Sequence, residues 1–277
     1  MKNIILTIFA FSMLSLTTIA NAKTIRIGTE GAYPPWNNLN AAGELEGAEI
    51  DFGNEACKRM GVDCEWITQD WDGIIPALLN GKYDIIIAGM SITEERKEKV
   101  NFTNGYMTDG ARFAVLKGSG LENLEVAGMD KVNLNDAGGK EQAAIGQLIA
   151  AMNGKTVCVQ SATIHQNFLD KHMAGAVEVK LYSDVDTTNL DLIAGRCDAI
   201  LADVGSTIDY MASDVGTNVA FTGPTFSGGV FGDGVGGAVR KEDADILEMW
   251  NKVIAEMLAD GSLSEITKVH FGRDISM

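Results

Sequence analysis

Short runs of β-branched and apolar residues alternate along this chain with stretches in which apolar positions recur every three to four residues. That is the pattern of strands alternating with amphipathic helices. A first strand is predicted over 24–29, then, after a loop holding Tyr33-Pro34-Pro35-Trp36, a helix over 50–60, a strand over 64–68, a helix over 71–79 and a buried strand over 83–88. A polar segment over 133–153 leads into a helix from residue 140. The same grammar then repeats, with strands over 156–159, 177–182 and 198–202 and helices over 163–172, 186–194 and 205–211. Two βαβ-type units separated near residue 110 predict an α/β protein built on parallel sheets.

The last third differs in texture. Gly223, Gly228, Gly229, Gly232, Gly234, Gly236 and Gly237 crowd into fifteen residues, ahead of one strongly periodic helix over 241–260 with Leu247, Trp250, Ile254 and Leu258 on a face. The glycine run has neither the Lys-Ser/Thr of a P-loop nor an ordered G-x-G-x-x-G after a clear strand, so it reads as a hinge and crossover and not as a phosphate cradle.

At the N-terminus, Lys2, an apolar stretch over 4–16 broken only by Thr7, Ser12 and Ser15, and the A-x-A site Ala20-Asn21-Ala22 predict a secretory signal peptide over 1–22. A membrane anchor would need about 20 apolar residues. No Cys follows the cut, and no later run approaches a spanning length, so a soluble product beyond the inner membrane is expected. Removing the segment, with its single Lys2, leaves 255 residues.

Composition narrows the function by exclusion. The 22 Lys+Arg stand against 38 Asp+Glu, a formal net charge of −16 that becomes −17 without the leader, and no Lys/Arg block occurs. A nucleic-acid binder needs a basic stripe, so nucleic acid is excluded as a partner. A chain with 46% hydrophobic and 22% charged residues has the means to bury a real core.

In an oxidising compartment four cysteines invite pairing. Cys57 and Cys64 straddle a predicted helix end and strand start, where a short staple is geometrically reasonable. Cys158 and Cys197 lie in two buried strand-like runs; they bridge if those strands are neighbours and otherwise remain buried thiols. No C-x-x-C occurs, and His165, His172 and His270 share no ligand spacing, so no metal site is expected.

In open α/β sheets, ligands bind outside the carboxyl ends of the strands. Collected there are Glu30 and Tyr33, then Trp71, then Ser91, Thr93 and Arg96, then Ser161 and Thr163, and last Asp203. Arg96 offers a fork of donors for a carboxylate, Ser91 and a helix N-terminus at Thr163 add donors, and Asp203 can take an ammonium. Those are the demands of an α-amino acid. Glu30 adds a second negative charge suited to a cationic side chain, and Tyr33 with Trp71 could sandwich its stem. Each residue has a plainer alternative: a solvated helix face for Arg96, a loop acid for Glu30, a helix N-cap for Asp203, core-edge aromatics for Tyr33 and Trp71, and a surface-helix position for His165.

These runs resemble the periplasmic solute-binding proteins of ABC transporters, in the polar and basic amino-acid family. The similar stretches are 28–36 (Gly-Thr-Glu-Gly-Ala-Tyr-Pro-Pro-Trp), 47–60 with Cys64, 71–78, 88–96, 195–203 and 231–241. The likeness is to lysine/arginine/ornithine- and histidine-binding proteins and to the octopine/nopaline group, whose inserted helix before the second lobe is similar to residues 140–151. The resemblance implies a two-lobed type II periplasmic binding protein fold, each lobe a mostly parallel sheet flanked by helices. The first lobe would take 23–108 and 230–277 and the second 112–221, with hinge crossovers near 108–111 and 222–229.

It also implies that Arg96 and Thr163 hold the ligand α-carboxylate, that Ser91, the backbone at Gly89 and Asp203 hold the α-ammonium, that Tyr33 and Trp71 flank the side chain, and that Glu30 meets the distal positive group. The Cys57/Cys64 pair matches the short disulfide of the lysine/arginine/ornithine type. The turn Ser161-Ala162-Thr163-Ile164 departs from the Gly-Ser-Thr-Gln-like turn common there. The acid at Asp203, commonly missing in opine-binding relatives, favours a primary amino group. The expected function is a monomeric periplasmic receptor for arginine, lysine or ornithine, with histidine and then opines behind, delivering to an inner-membrane ABC permease and needing no cofactor. A secreted dehydratase-like enzyme on the same fold is the rival, for which Glu30 and His165 are the candidate acid and base.

Overall fold

The strand expected over 24–29 forms as Thr24–Thr29, with Ile25 and Ile27 fully buried between the layers that cover it. In the computed structural model, which describes residues 23–135 and 138–277, it is the spine of a five-stranded sheet. Asp63–Thr68 and Ile85–Ile86 lie parallel on its two sides, and Ala238–Val239 and Asn101–Phe102 complete the far edge antiparallel. Helices Ala48–Met60, Ala244–Ala259 and Ser262–Phe271 bury Phe52, Ala56, Trp250, Ile254 and Leu263 with Ile25 and Ile27. Ile74 and Leu78 of Ile74–Leu79 join Ile86 and Ala238 in a second cluster. A sheet covered on both faces explains why its strands read as continuous apolar runs.

The second sheet has six strands. Thr156–Gln160 lies parallel between Glu178–Tyr182 and Ala199–Asp203; Ala111–Leu116 runs antiparallel between Ala199–Asp203 and Val219–Ser227; Lys131–Asn133 closes the edge. Helices Gly139–Met152 and Ile164–His172 bury Ala144, Leu148 and Phe168 in one cluster with Val157 and Leu201, while Leu192 of Val185–Ile193 belongs to another with Cys158 and Ile200. The molecule is thus α/β with two sheet-rich lobes. Each sheet is mixed where mostly parallel sheets were expected, because the strands at or next to the passages between sheets pair antiparallel.

Several expected elements shift. Only Ile85–Ile86 of 83–88 pairs as a strand, the region 71–79 opens with a 3₁₀ turn, Trp71–Gly73, and the helix expected from 241 starts at Ala244. The helix expected ahead of the second lobe, Gly139–Met152, instead packs into that lobe's own core, after two of its strands. Residues 222–227, expected as a hinge, belong to the strand Val219–Ser227, so the passage back begins at Gly228. There Gly232, with φ +77°, fits so closely that a Cβ would lie 2.3 Å from the Ile92 carbonyl oxygen. Close packing explains that glycine.

An unforeseen antiparallel sheet of Ala32–Tyr33, Asn37–Leu39 and Leu45–Glu46 folds the Tyr33-Pro34-Pro35-Trp36 loop over the first lobe, with Trp36 fully buried. Both cysteine pairs are bonded: Cys57–Cys64 joins a helix to the adjacent strand, and Cys158–Cys197, the pair left open above, ties a central strand to the turn before its neighbour. The expected leader over 1–22 lies outside the described residues. Among the described residues, no helix is long and apolar enough to cross a membrane.

Candidate ligand-binding cleft

Residues just past the strand ends of both sheets line one cleft. All eight residues expected there, Glu30, Tyr33, Trp71, Gly89, Ser91, Arg96, Thr163 and Asp203, are brought together in it. Gln160 and His165 join them. Gln160 is the last residue of Thr156–Gln160; it directly follows the strand predicted over 156–159, so the strand-end rule reached it but only Ser161 and Thr163 were collected there. His165, read as a surface histidine, is buried in the first turn of its helix, with Nε2 3.1 Å from Asp203 Oδ1. A polar side chain at the start of a helix that opens on the cleft was the available signal.

The first lobe supplies the cation. Thr93 caps the one-turn helix Glu94–Lys97 through a 3.3 Å bond from the Arg96 N–H. The Arg96 side chain folds back to donate to the Ser91 carbonyl at 3.0 Å and lies over the Trp71 ring, 5.2 Å from its centre. Its guanidinium is turned inward, and loss of solvent lowers its pKa to about 10, so it stays charged at neutral pH. Among the described residues no carboxylate lies within ion-pair distance of it. The solvated helix face with ion pairs is therefore not what forms. Lys97 takes that role, paired with Glu94.

The anions sit elsewhere around the cleft. Glu30 is buried, and its only side-chain partner among the described residues is Gln160, whose Nε2 donates to Oε1 at 2.6 Å and also to the Ser183 carbonyl at 3.0 Å. Burial, joined by repulsion from Asp184, Asp70 and Asp186, pushes the Glu30 pKa up to about 7 in spite of that bond. Asp203 stands at the N-cap position of Val204–Ala212 but makes no side-chain cap bond. Its carboxylate instead accepts from Tyr33 Oη at 2.9 Å and faces His165. Leaving His165 aside, the lining carries one cation and, once Glu30 is ionised, two charged carboxylates, a combination that a ligand of net charge +1 balances.

The two lobes touch directly over the cleft. Trp71 Nε1 and Arg96 Nη2 both donate to the Ala162 carbonyl, at 3.1 and 3.4 Å, and Ser161 Oγ donates to Asp72 at 2.8 Å. Ala162 holds φ +55°, a left-handed conformation rare for a residue with a Cβ. It is braced by the Gln166 side chain, which accepts from its N–H at 2.8 Å. Thr163 spends its hydroxyl within its own lobe, donating to Gln160 O at 2.7 Å and capping Gln166 N at 3.2 Å. What Thr163 brings to the cleft is therefore the N-terminus of the helix Ile164–His172. Gly89, with φ +60°, sets its backbone against the cleft, where a Cβ would face the Tyr33 ring at 3.6 Å.

Comparison with known proteins shows the family and the fold. The sequence profile of the bacterial extracellular solute-binding proteins, family 3, matches residues 25–273. An L-arginine-binding protein of Pseudomonas aeruginosa is 36% identical over 269 residues, covering 96% of this chain and 95% of that protein. An octopine-binding periplasmic protein of Rhizobium meliloti is 38% identical over 225 residues, 81% of this chain and 76% of that one. Among solved structures, an ancestral arginine-binding protein bound to arginine superposes with a TM-score of 0.76 at 33% identity, covering 91% of this chain and all of that one.

Proposed function

Because the chain belongs to the bacterial extracellular solute-binding proteins of family 3, we propose that it is a periplasmic receptor that closes its two lobes on a cationic α-amino acid and delivers it to an ABC permease. The observation that carries the reading is Glu30: a buried carboxylate with no cationic partner among the described residues, set beside Asp70, Asp184 and Asp186. A charge so placed calls for a positive group from the ligand.

In this reading Arg96 and the helix start at Thr163 take the α-carboxylate, a forked donor from one lobe and a positive dipole end from the other. The α-ammonium is held by Ser91, the Gly89 backbone and Asp203. Tyr33 and Trp71 flank the aliphatic stem, and Glu30 meets the distal guanidinium or ammonium. The Gln160 amide, now on Glu30, is the group the ligand's distal end must share or replace. We take the first lobe as 23–108 with 230–277 and the second as 112–227, extended from 221 because its strand runs to Ser227.

The lobes are proposed to part about the passages on either side of that strand and Ala111–Leu116. Ligand would meet the Arg96 lobe first, and closure would exclude water and strengthen each charged hydrogen bond inside. The protein works as a monomer in this scheme. The candidate acid and base of an enzyme, Glu30 and His165, are engaged by Gln160 and Asp203, which supports holding a ligand over transforming it. Asp203 favours a primary amine over an opine.

A thermal-shift panel tests the reading, since a ligand that binds only the folded state raises its melting temperature. Arginine, lysine and ornithine should stabilise. Stabilisation by neutral or acidic amino acids alone would remove the argument from Glu30. Turnover of an amino acid in a product assay would overturn the non-enzymatic assignment.

A further inference from the structure

Behind the cleft lies a buried carboxylate that the ligand scheme does not use. Glu49, the second residue of Ala48–Met60, is wholly inaccessible. Its Oε1 and Oε2 accept from the Gly89 N–H at 2.7 and 2.8 Å, Oε2 accepts from Asn37 Nδ2 at 2.8 Å, and Oε1 accepts from Tyr106 Oη at 2.5 Å. The Gly89 N–H and the Asn37 amide can only donate, and with Tyr106 Oη donating as well the contacts match an ionised carboxylate. Burial, joined by Asp203, raises the Glu49 pKa above the ordinary carboxylate value against the pull of these donors.

The network reaches two walls of the cleft and the way out of the lobe. Asn37, having donated to Glu49, accepts from the Gly31 N–H at 2.8 Å through Oδ1 and so fixes the turn that follows Glu30. Gly89 is held in a left-handed conformation by the same carboxylate. Tyr106, stacked on Phe52 at 4.6 Å, precedes the passage into the second sheet. One buried charge thus touches the turn at the distal end of the cleft, the turn at its α-amino end and the residue before the crossover.

We propose that Glu49 is a positioning residue for ligand capture: it orients the Gly89 turn for the ligand's α-ammonium, and adds a second negative charge behind the ammonium that Asp203 faces. The proposal rests on the cationic amino-acid reading above. Its chemistry predicts that losing Glu49 weakens ligands carrying an α-amino group more than those lacking one. A role confined to folding predicts lower stability without that split.

The test is calorimetric titration of L-arginine, and of 5-guanidinopentanoate, the same molecule without the α-amino group, into the wild-type protein, Glu49→Gln and Tyr106→Phe. Competition against arginine extends the range to weak binding, and the melting temperature of each ligand-free protein is recorded alongside. Loss of bonds to a charged acceptor predicts arginine binding about tenfold weaker in Glu49→Gln and about threefold weaker in Tyr106→Phe, with the analogue changed less than about twofold. Unchanged arginine affinity in both variants, or equal loss for both ligands, overturns the proposal. If Glu49→Gln does not unfold cooperatively, Tyr106→Phe, which keeps the ring on Phe52, decides by the same criteria. A wild-type protein that binds no amino acid would instead overturn the ligand reading on which the proposal stands.

Discussion

On the first-lobe side of the cleft, the facing groups are fixed by their own lobe: Arg96 by the Ser91 carbonyl, Gly89 by Glu49, and the turn after Glu30 by Asn37. On the second-lobe side, Asp203, Ala162 and Gln160 are bonded to residues of the first lobe, Tyr33, Trp71 and Glu30. Two of the second lobe's contributions also stand at helix starts, Thr163 before Ile164–His172 and Asp203 before Val204–Ala212. Thr163, Ala162 and Gln160 are also held from within their own lobe, so the walls differ in how many facing groups rely on the opposite lobe as well. In the proposed scheme that difference would give capture to the first wall and closure to the second, because pre-organised groups bind without first being ordered.

The largest expected effect removes the charge from one wall at a time. Arg96→Ala should weaken arginine by on the order of a thousandfold, and Asp203→Ala by on the order of a hundredfold or more, each leaving a ligand charge buried without a partner. If the first wall captures and the second closes, Arg96→Ala slows association while Asp203→Ala speeds dissociation. Stopped-flow kinetics separates the two, and equal changes in both rates for both variants would erase the distinction.

Next is Glu30→Gln, expected to cost arginine about ten- to a hundredfold and to leave glutamine binding little changed. The sign of the pH dependence follows from a carboxyl raised from 4.5 to about 7. Folded protein holds that proton more tightly than unfolded chain, so Glu30 contributes stability at low pH that is lost as pH rises from about 4.5 through about 7. A cationic ligand favours the ionised form, so arginine should bind with proton release near about pH 6 and more tightly toward about pH 8. Calorimetry in buffers of different ionisation enthalpy counts the proton, and Glu30→Gln should abolish it.

A smaller effect tests the contact between walls. Trp71→Phe keeps the ring over which Arg96 lies but loses the bond to the Ala162 carbonyl, and should weaken arginine about three- to tenfold, mainly by faster dissociation. The smallest effect on affinity belongs to the disulfides. Loop entropy gives a loss of about 4 kcal/mol of stability for Cys158→Ser and about 2 kcal/mol for Cys57→Ser, the longer loop costing more. Calorimetric unfolding measures both losses, and arginine affinity should be unchanged in both variants.

The α/β order, the two units and the ends of most strands were legible because apolar periodicity is a local property of sequence. The two-residue strands at the far edge of the first sheet were not, since pairs such as Asn101–Phe102 and Ala238–Val239 carry no period of their own and exist through their neighbours. The eight cleft residues were reachable from strand ends and the family resemblance, yet His165 was misplaced and Gln160 overlooked. Whether a side chain one turn into a helix faces solvent or Asp203 depends on how the helix sits against another lobe.

By itself, then, the sequence determined which chemistry was available: an Arg, two acids and two aromatics at strand ends, and four cysteines. Only the tertiary structure decided which charges would stand without partners. It paired Lys97 with Glu94 and left Arg96 and Glu30 free of ion pairs among the described residues. It also turned the Glu49 side chain inward beneath Gly89. Pairing and desolvation depend on distances between residues far apart in the chain, and those distances are fixed only when the two sheets and their covering helices pack.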